Sequence, residues 1–249
     1  MSDPSRAVHL TSKIEAAASV ACTASVTNGH TGRTVTCDLE YGQVREWACL
    51  PSDKIPLHPL AERVRAAIPN AQCVEDNELL CCRGQSLKRD SRPTSDRLGP
   101  PPVGWPCPEN RYNRADESVL YCCTSEGGVA REVAIGAGNE LYLQAYKIPL
   151  QQLRIADFTD AALDPLLNGV FEIAESCMVE GRGPDSYDFS QFVAELVAGS
   201  FDGMMVPGVR GDRALRYSNV VIFRPHPRWR EWVIGEPEVV RLFPEPTSE

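Results

Sequence analysis

The sequence of 249 residues is short of the features that mark several protein classes. It contains 25 Lys and Arg against 34 Asp and Glu, a formal net charge of -9. This balance predicts no general nucleic-acid binding, which needs clustered positive charge. No apolar run approaches the roughly 18 residues that a transmembrane helix requires, so we expect no membrane span. The ten cysteines include no CxxC pair and the four histidines are scattered, which predicts no metal site.

The first residues do not look like a secretory signal peptide. Asp3 and Glu15 place negative charges where such a peptide is basic and then apolar. We therefore expect a cytoplasmic protein, and export by a route that needs no signal peptide stays open.

Two adjacent cysteine pairs, Cys81–Cys82 and Cys122–Cys123, each end an apolar run. Neighbours in a strand point to opposite faces, so we expect one cysteine of each pair to pack in the core. Reduced thiols are favoured in a cytoplasmic protein, although disulfides stay open.

Short strand-like runs separated by two amphipathic helices predict an α+β fold. The runs are ELLCCRG, SVLYCC, LYLQAYKIP, DGMMVPGVRG and SNVVIFRP. The stretch EGGVAREVAIGA predicts a helix start after a Gly-rich turn, with Glu132 near that start. Gly235 to Pro237 predict a hairpin in the last segment, REWVIGEPEVVRLF.

The two amphipathic helices carry recognisable end signals. In the first, Asp164 is the expected N-cap and Pro165 the first helical residue. In the second, Asp188 is the expected N-cap, Gln191 follows three residues later, and Gly199 ends the helix. We divide the chain into an N-terminal extension, 1–74, packed on a main domain, 75–249.

The candidate functional residues lie in the main domain. Arg111, Tyr112 and Asn113 precede a strand that contains Tyr121, and Glu132 follows in the next predicted helix. A cation, an aromatic ring and a carboxylate therefore come close together in the chain. Other interpretations stay open for each: Arg111 as a surface residue, Tyr121 as a core residue, and Glu132 as a first-turn residue that stabilises a helix. Asn113, like Asn219, is also a common turn or strand-edge residue.

With Arg83 at the end of an earlier strand and Asn219 at the start of a later one, this order resembles the RES domain family. The resemblance covers about residues 78–225 and implies an ADP-ribosyltransferase-like mixed sheet with flanking helices. Where the family has its serine, after a Tyr-Pro or Val-Pro pair, this chain has Gly208. The family's hydroxyl is then missing, unless Ser218, beside Asn219, approaches from the neighbouring strand.

The resemblance implies a toxin-like enzyme that cleaves the nicotinamide–ribose bond of NAD with water or phosphate. NAD is then the substrate, and no prosthetic group is expected. The implied catalytic residues are Glu132, Arg83 and Tyr121. The implied NAD-binding residues are Arg83, Arg111, Tyr112, Asn113, Tyr121, Gly208, Ser218 and Asn219. A small antitoxin or immunity protein and a homodimer are compatible partners, whereas a membrane or a nucleic acid is not expected.

The cleavage chemistry suits these residue types. Arginines pair with phosphates, an aromatic ring stacks on nicotinamide, and a carboxylate stabilises the positive ribose. We expect Arg83, Arg111, Tyr121 and Glu132 to line one cleft, with Arg83 and Glu132 on the same side of the sheet. Two other functions stay open: an ADP-ribosyltransferase that modifies a macromolecule, and a silent NAD-binding module. Gly208 favours the silent module, and a serine there is expected to raise the rate modestly.

Overall fold

The computed structural model describes residues 24–27, 34–37, 40–159, 164–176, 187–208, 217–225 and 227–240. The N-terminal segment that contains Asp3 and Glu15 lies outside these residues.

The described strands form a small sheet and a large one. Their bounds are β1 Ala24–Thr27, β2 Thr34–Cys37, β3 Glu78–Lys88, β4 Val119–Cys123, β5 Asn139–Pro149, β6 Ile155–Asp157, β7 Gly203–Pro207, β8 Ser218–Phe223 and β9 Val233–Val240. Strands β1 and β2 pair with each other, and the other seven form one sheet in the order β6-β7-β8-β4-β3-β5-β9. Only β6 and β7 run parallel among these seven. The expected α+β fold with a mixed sheet is confirmed.

Six α-helices in the described part of the chain flank the large sheet. They are α1 Glu40–Ala48, α2 Pro59–Ala67, α3 Ser95–Leu98, α4 Glu126–Glu132, α5 Pro165–Ser176 and α6 Asp188–Ala198. The carboxylate of Asp164 accepts the backbone N–H of Leu166 at 2.8 Å, so the predicted N-cap is confirmed. The N-cap of α6 is Tyr187 and not Asp188, which is the first helical residue.

Both faces of the large sheet are covered by apolar side chains. On one face, α5 and α6 pack on β4, β7 and β8 through residues such as Phe171, Phe192 and Val221. Further along that face, Val129 of α4 packs on β3, β4 and β5. The opposite face is covered in part by Trp229 and Trp232 from a short 3-10 turn. Both cysteines of each adjacent pair are consequently buried, whereas the sequence predicts that only one of each pair is buried.

The two central strands, β3 and β4, pair at one position, Cys82 with Cys123. In contrast, β3 pairs with β5 along its whole length from Glu78 to Lys88, and β4 pairs with β8 from Val119 to Cys123. The sheet therefore has a gap in its middle, where the central strands separate.

The C-terminal segment differs from its prediction. Val233 to Val240 form one strand along β5, and not a hairpin. The pairing shifts register between Leu143 and Ala145, and the side chain of Gln144 donates to the carbonyl oxygens of Ile234 and Gly235 at this irregularity. Gly235, with φ of 64°, adopts the left-handed conformation there. The turn-like residues thus form a bulge.

Residues 40–74 pack on the rest of the chain. The ring of Trp47 in α1 meets Phe189 and Phe192 of α6 at centroid distances of 5.0 and 6.0 Å. The backbone N–H of Val74 donates to Ile155 at 2.9 Å. The division of the chain at residue 75 stays a prediction. Among the described helices, none combines the length and the apolar character needed to cross a membrane.

Candidate active site

A cavity of about 350 Å³ lies at the gap between β3 and β4. Its lining residues are Cys82, Arg83, Gly84, Asn110, Arg111, Tyr112, Tyr121, Cys122, Cys123, Val129, Glu132, Val133, Tyr187 and Asn219. Three consecutive residues of each central strand contribute, although consecutive residues point to opposite faces. The cavity therefore enters the sheet between the strands. Its volume lies in the range of small-molecule sites, which is roughly 300–1,000 Å³.

Arg83 lines the cavity, and its guanidinium is incompletely paired. Its Nη1 atom is buried and has no hydrogen-bond partner among the described residues. Burial lowers the pKa of Arg83 from the usual arginine range, but arginine stays protonated in proteins at neutral pH. A buried nitrogen of a cation that lacks a hydrogen-bond partner is costly, so this position suits an anionic ligand.

A tight turn holds the second arginine. The backbones of Asn110 and Asn113 bond to each other, N–H to carbonyl, at 3.2 and 3.3 Å. Arg111 and Tyr112 lie between them, and the Arg111 guanidinium carbon lies 5.7 Å from the centroid of the Tyr112 ring. Gln191 of α6 donates from Nε2 to the carbonyl oxygens of both asparagines, at 3.1 and 3.0 Å. Helix α6 thus fixes the turn that presents Arg111.

Tyr121 fastens the same turn from β4. Its hydroxyl accepts the backbone N–H of Tyr112 at 3.1 Å and donates to Oδ1 of Asn113 at 2.9 Å. Burial raises the pKa of Tyr121 above its ordinary range, which keeps the hydroxyl protonated and able to donate. The hydroxyl is therefore committed to the turn, while the residue still lines the cavity.

Glu132 is the last residue of α4, and not near the start of a helix as predicted. Helix α4 packs closely on β3 because Gly84 of β3 has no side chain. A Cβ at Gly84 would lie 2.3 Å from Cγ1 of Val129 in α4. The C-terminal end of a helix carries a partial negative charge that disfavours a carboxylate. The alternative interpretation of Glu132 as a helix-stabilising first-turn residue is therefore wrong.

Two hydrogen-bond donors offset the unfavourable position of the Glu132 carboxylate at the C-terminal end of α4. Its Oε1 atom accepts the hydroxyl of Tyr217 at 2.7 Å and Nδ2 of Asn219 at 3.0 Å. Oδ1 of Asn219 in turn accepts the thiol of Cys123 at 3.0 Å. These contacts hold one carboxylate oxygen at a defined place in the cavity wall.

A comparison with known protein families identifies the family of the chain. A family model described as RES domain matches residues 83–240, well over half of the chain. The chain belongs to the RES domain family. This family is associated with NAD-related toxin function. No curated protein and no solved structure matches the chain.

The RES domain brings most of its predicted site residues to the cavity. Arg83, Arg111, Tyr112, Tyr121, Glu132 and Asn219 all line it. The expectation that Arg83 and Glu132 share one side of the sheet is wrong. Cys82 packs with Val129 of α4, so the next residue, Arg83, belongs to the opposite face. Arg83 joins the same cavity through the gap between the strands.

Three predicted binding residues of the RES domain do not line the cavity. The Asn113 amide is occupied within the turn, where Nδ2 donates to the carbonyl oxygens of Pro108 and Arg114. Ser218 pairs through its backbone with Thr124. Gly208 lies against Tyr217, since a Cβ at Gly208 would come within 2.0 Å of Cε2 of that ring. For Asn113, the hydrogen bonds of its amide within the turn support a positioning role rather than a ligand contact.

Two of the cysteines that line the cavity of the RES domain, Cys82 and Cys123, are poor nucleophiles. Burial raises the pKa of Cys82 to about 12 and that of Cys123 above its ordinary range. The thiolate is the reactive form of cysteine. Neither of these two thiols is therefore a candidate nucleophile at neutral pH.

Tyr217 and the role of Gln191 were missed in the sequence. Tyr217 is 85 residues from Glu132 in the chain, and nothing near it in sequence indicates that contact. The sequence predicts a capping role for Gln191, but the residue is buried and bonded to the turn that carries Arg111. Its position on the apolar side of α6, between Phe189 and Phe192, was the available signal.

Proposed function

We propose that the protein cleaves the bond between nicotinamide and ribose in NAD, as a glycohydrolase or a phosphorylase. The observation that carries the proposal is the pairing of opposite charges in one cavity. Glu132 is held by two donors in one part of the wall, while Arg83 and Arg111 contribute cations to the same cavity.

The arginines suit the diphosphate of NAD. A guanidinium offers several donors in a plane and matches phosphate oxygens, often through two parallel bonds. The buried Nη1 atom of Arg83, without a partner among the described residues, gains one when a phosphate oxygen binds. The rings of Tyr112 and Tyr121 are then available beside the nicotinamide ring.

Glu132 suits the ribose. When the C–N bond breaks, its electron pair passes to the pyridine nitrogen, so nicotinamide leaves as a neutral molecule without needing a proton. The ribose ring then carries positive charge, which a nearby carboxylate stabilises. The oxygen of water or of phosphate bonds to the same ribose carbon. A proton passes to solvent when the nucleophile is water.

Release of nicotinamide is the direct test. Purified protein is incubated with NAD, with and without inorganic phosphate, and the products are separated by chromatography. Nicotinamide with ADP-ribose identifies hydrolysis, and nicotinamide with a ribose-1-phosphate product identifies phosphorolysis. NAD binding without nicotinamide release would overturn the proposal in favour of a silent binding module.

A toxin role is tested by expressing the protein in cells. Expression of the wild-type protein is expected to lower cellular NAD and stop growth, whereas Glu132→Gln at the same level is not. Transfer of labelled ADP-ribose to a macromolecule, without free ADP-ribose, would instead identify a transferase.

A further inference from the structure

Tyr217 lies directly before β8 and reaches Glu132 across the end of α4. The residue is buried, with 8% of its surface exposed. Its hydroxyl donates to Oε1 of Glu132 at 2.7 Å, which is the usual length of a hydrogen bond between a hydroxyl and an oxygen. Such a bond to a carboxylate is stronger than one between neutral groups.

Two glycines enclose the ring of Tyr217. A Cβ at Gly128 would lie 2.6 Å from Cδ2 of the ring, and a Cβ at Gly208 would lie 2.0 Å from Cε2. Both distances are well below van der Waals contact, which is about 3.5 Å or more between carbon atoms. The backbone N–H of Gly208 also donates to the carbonyl oxygen of Tyr217 at 2.9 Å. The ring thus occupies the space that a side chain at either position would need.

We propose that Tyr217 is a positioning residue for Glu132, and that residue 208 is glycine because the Tyr217 ring takes the place of its side chain. The inference rests on the proposed function for the role of Glu132 in turnover. The Tyr217 hydroxyl fixes which way the carboxylate faces and offsets the unfavourable end of α4. Gly208 contributes indirectly, by leaving room for the ring.

A serine at position 208 is therefore expected to lower the rate, and not to raise it modestly as the sequence predicts. A serine side chain and the Tyr217 ring exclude each other, so Gly208→Ser displaces the ring and takes the hydroxyl away from Glu132. The exchange therefore lowers the rate of turnover. A modest gain in rate from Gly208→Ser would overturn the inference.

The first experiment removes the hydroxyl and keeps the ring. Tyr217→Phe is expected to lower kcat about tenfold or more, since it removes a charge-assisted hydrogen bond, while KM for NAD changes little. Tyr142→Phe is the matched control, because it removes a hydroxyl that contacts another carboxylate, Glu140, outside the cavity lining. An unchanged kcat in Tyr217→Phe, or an equal loss in Tyr142→Phe, would overturn the positioning role.

The second experiment tests the steric half of the inference by a double-mutant cycle. Gly208→Ser is expected to lower kcat in the wild-type background and to have little further effect in the Tyr217→Ala background. Equal losses in both backgrounds would show that Gly208 acts independently of the ring, which contradicts the inference.

A third measurement separates this inference from the proposed function. The coupling between Tyr217→Phe and Glu132→Ala, each of which removes the contact, is measured from urea unfolding, without NAD. A pair of substitutions that costs less than the sum of the two single ones supports the contact, even if the wild-type protein releases no nicotinamide. Additive costs would overturn the contact, even if the protein is active.

Discussion

The two charged parts of the cavity wall are built in opposite ways. At Glu132, one carboxylate oxygen accepts two hydrogen bonds, from Tyr217 and Asn219. At Arg83, the buried Nη1 atom has no partner among the described residues. Gln144 lies opposite Arg83 on the neighbouring strand. Its Oε1 atom is also buried and has no hydrogen-bond partner among the described residues.

This difference separates two tasks. A group that must act on a ligand at a defined distance gains from being held before the ligand arrives. A group that must bind a charged ligand gains affinity if part of its hydrogen-bonding capacity is unused beforehand, because the ligand then relieves an existing cost. For the proposed function, the contacts of Glu132 suit a positioned carboxylate, and the unpaired Nη1 atom of Arg83 suits the binding of an anion.

The largest effect is expected on the Glu132 side. Glu132→Gln keeps the shape and can still accept from Tyr217 and Asn219, but it removes the negative charge. We expect kcat to fall by at least about a hundredfold with the fold intact. Nicotinamide release and thermal unfolding are the measurements, and Glu126→Gln on the same helix is the matched control. Near-normal turnover in Glu132→Gln would remove Glu132 from the mechanism.

On the binding side, Arg83→Met is expected to affect NAD affinity and stability in opposite directions. The lost charge-assisted bonds weaken NAD binding roughly 10- to 100-fold, measured by calorimetry. The free energy of unfolding rises, because a guanidinium with a buried and unpaired Nη1 atom is replaced by an apolar side chain. Arg131→Met, at an exposed position of α4, controls for the loss of charge. A destabilised Arg83→Met protein would mean that the guanidinium is already satisfied.

The turn that carries Arg111 is expected to respond mainly in stability. Tyr121→Phe leaves the Tyr112 N–H and Asn113 Oδ1 without their bonds to the hydroxyl. The free energy of unfolding should fall by about 1–3 kcal/mol. NAD affinity should fall only if the turn that carries Arg111 becomes less well held. Stability is therefore measured by urea unfolding and NAD affinity by calorimetry on the same protein. A large loss of kcat at unchanged stability would instead give the hydroxyl a direct part in the reaction.

The smallest effect is expected from the thiols. Because burial raises the pKa of Cys82 and Cys123, iodoacetamide at about pH 8 should modify both far more slowly than the exposed Cys49. Peptide mass spectrometry after timed alkylation measures this difference. Cys82→Ala should retain most of the nicotinamide release. Rapid inactivation that follows modification of Cys82 would show that a thiol takes part.

Local signals in the sequence predicted the regular elements well. The Asp164 cap and the alternation of β5 identify their elements because both depend on neighbours in the chain. The end of α4 was not predictable in this way. No proline or glycine interrupts the sequence at Glu132, and the helix ends where Val133 turns into an extended conformation. The residues around Gly235 predict a turn but form a bulge, because the same residue types favour both.

The candidate site was predictable as a set of residues but not as an arrangement. The motif order brought together Arg83, Arg111, Tyr121 and Glu132, all of which line the cavity. The roles of Tyr217 and Gln191 depend on contacts across 78 or more residues of chain. No local pattern encodes such contacts, because they are produced by packing of the complete sheet and its helices.

The single pairing of β3 with β4 has a consequence for motion. One assigned residue pair, Cys82 with Cys123, joins β5 and β3 on one side to β4 and β8 on the other. Backbone amides along this seam should therefore exchange with deuterium sooner than those inside the β3–β5 ladder. Arg83 and Tyr121 lie on opposite sides of the seam, so a small twist between the two parts changes the width of the cavity. In the proposed function, NAD would enter and its products would leave as the sheet itself flexes.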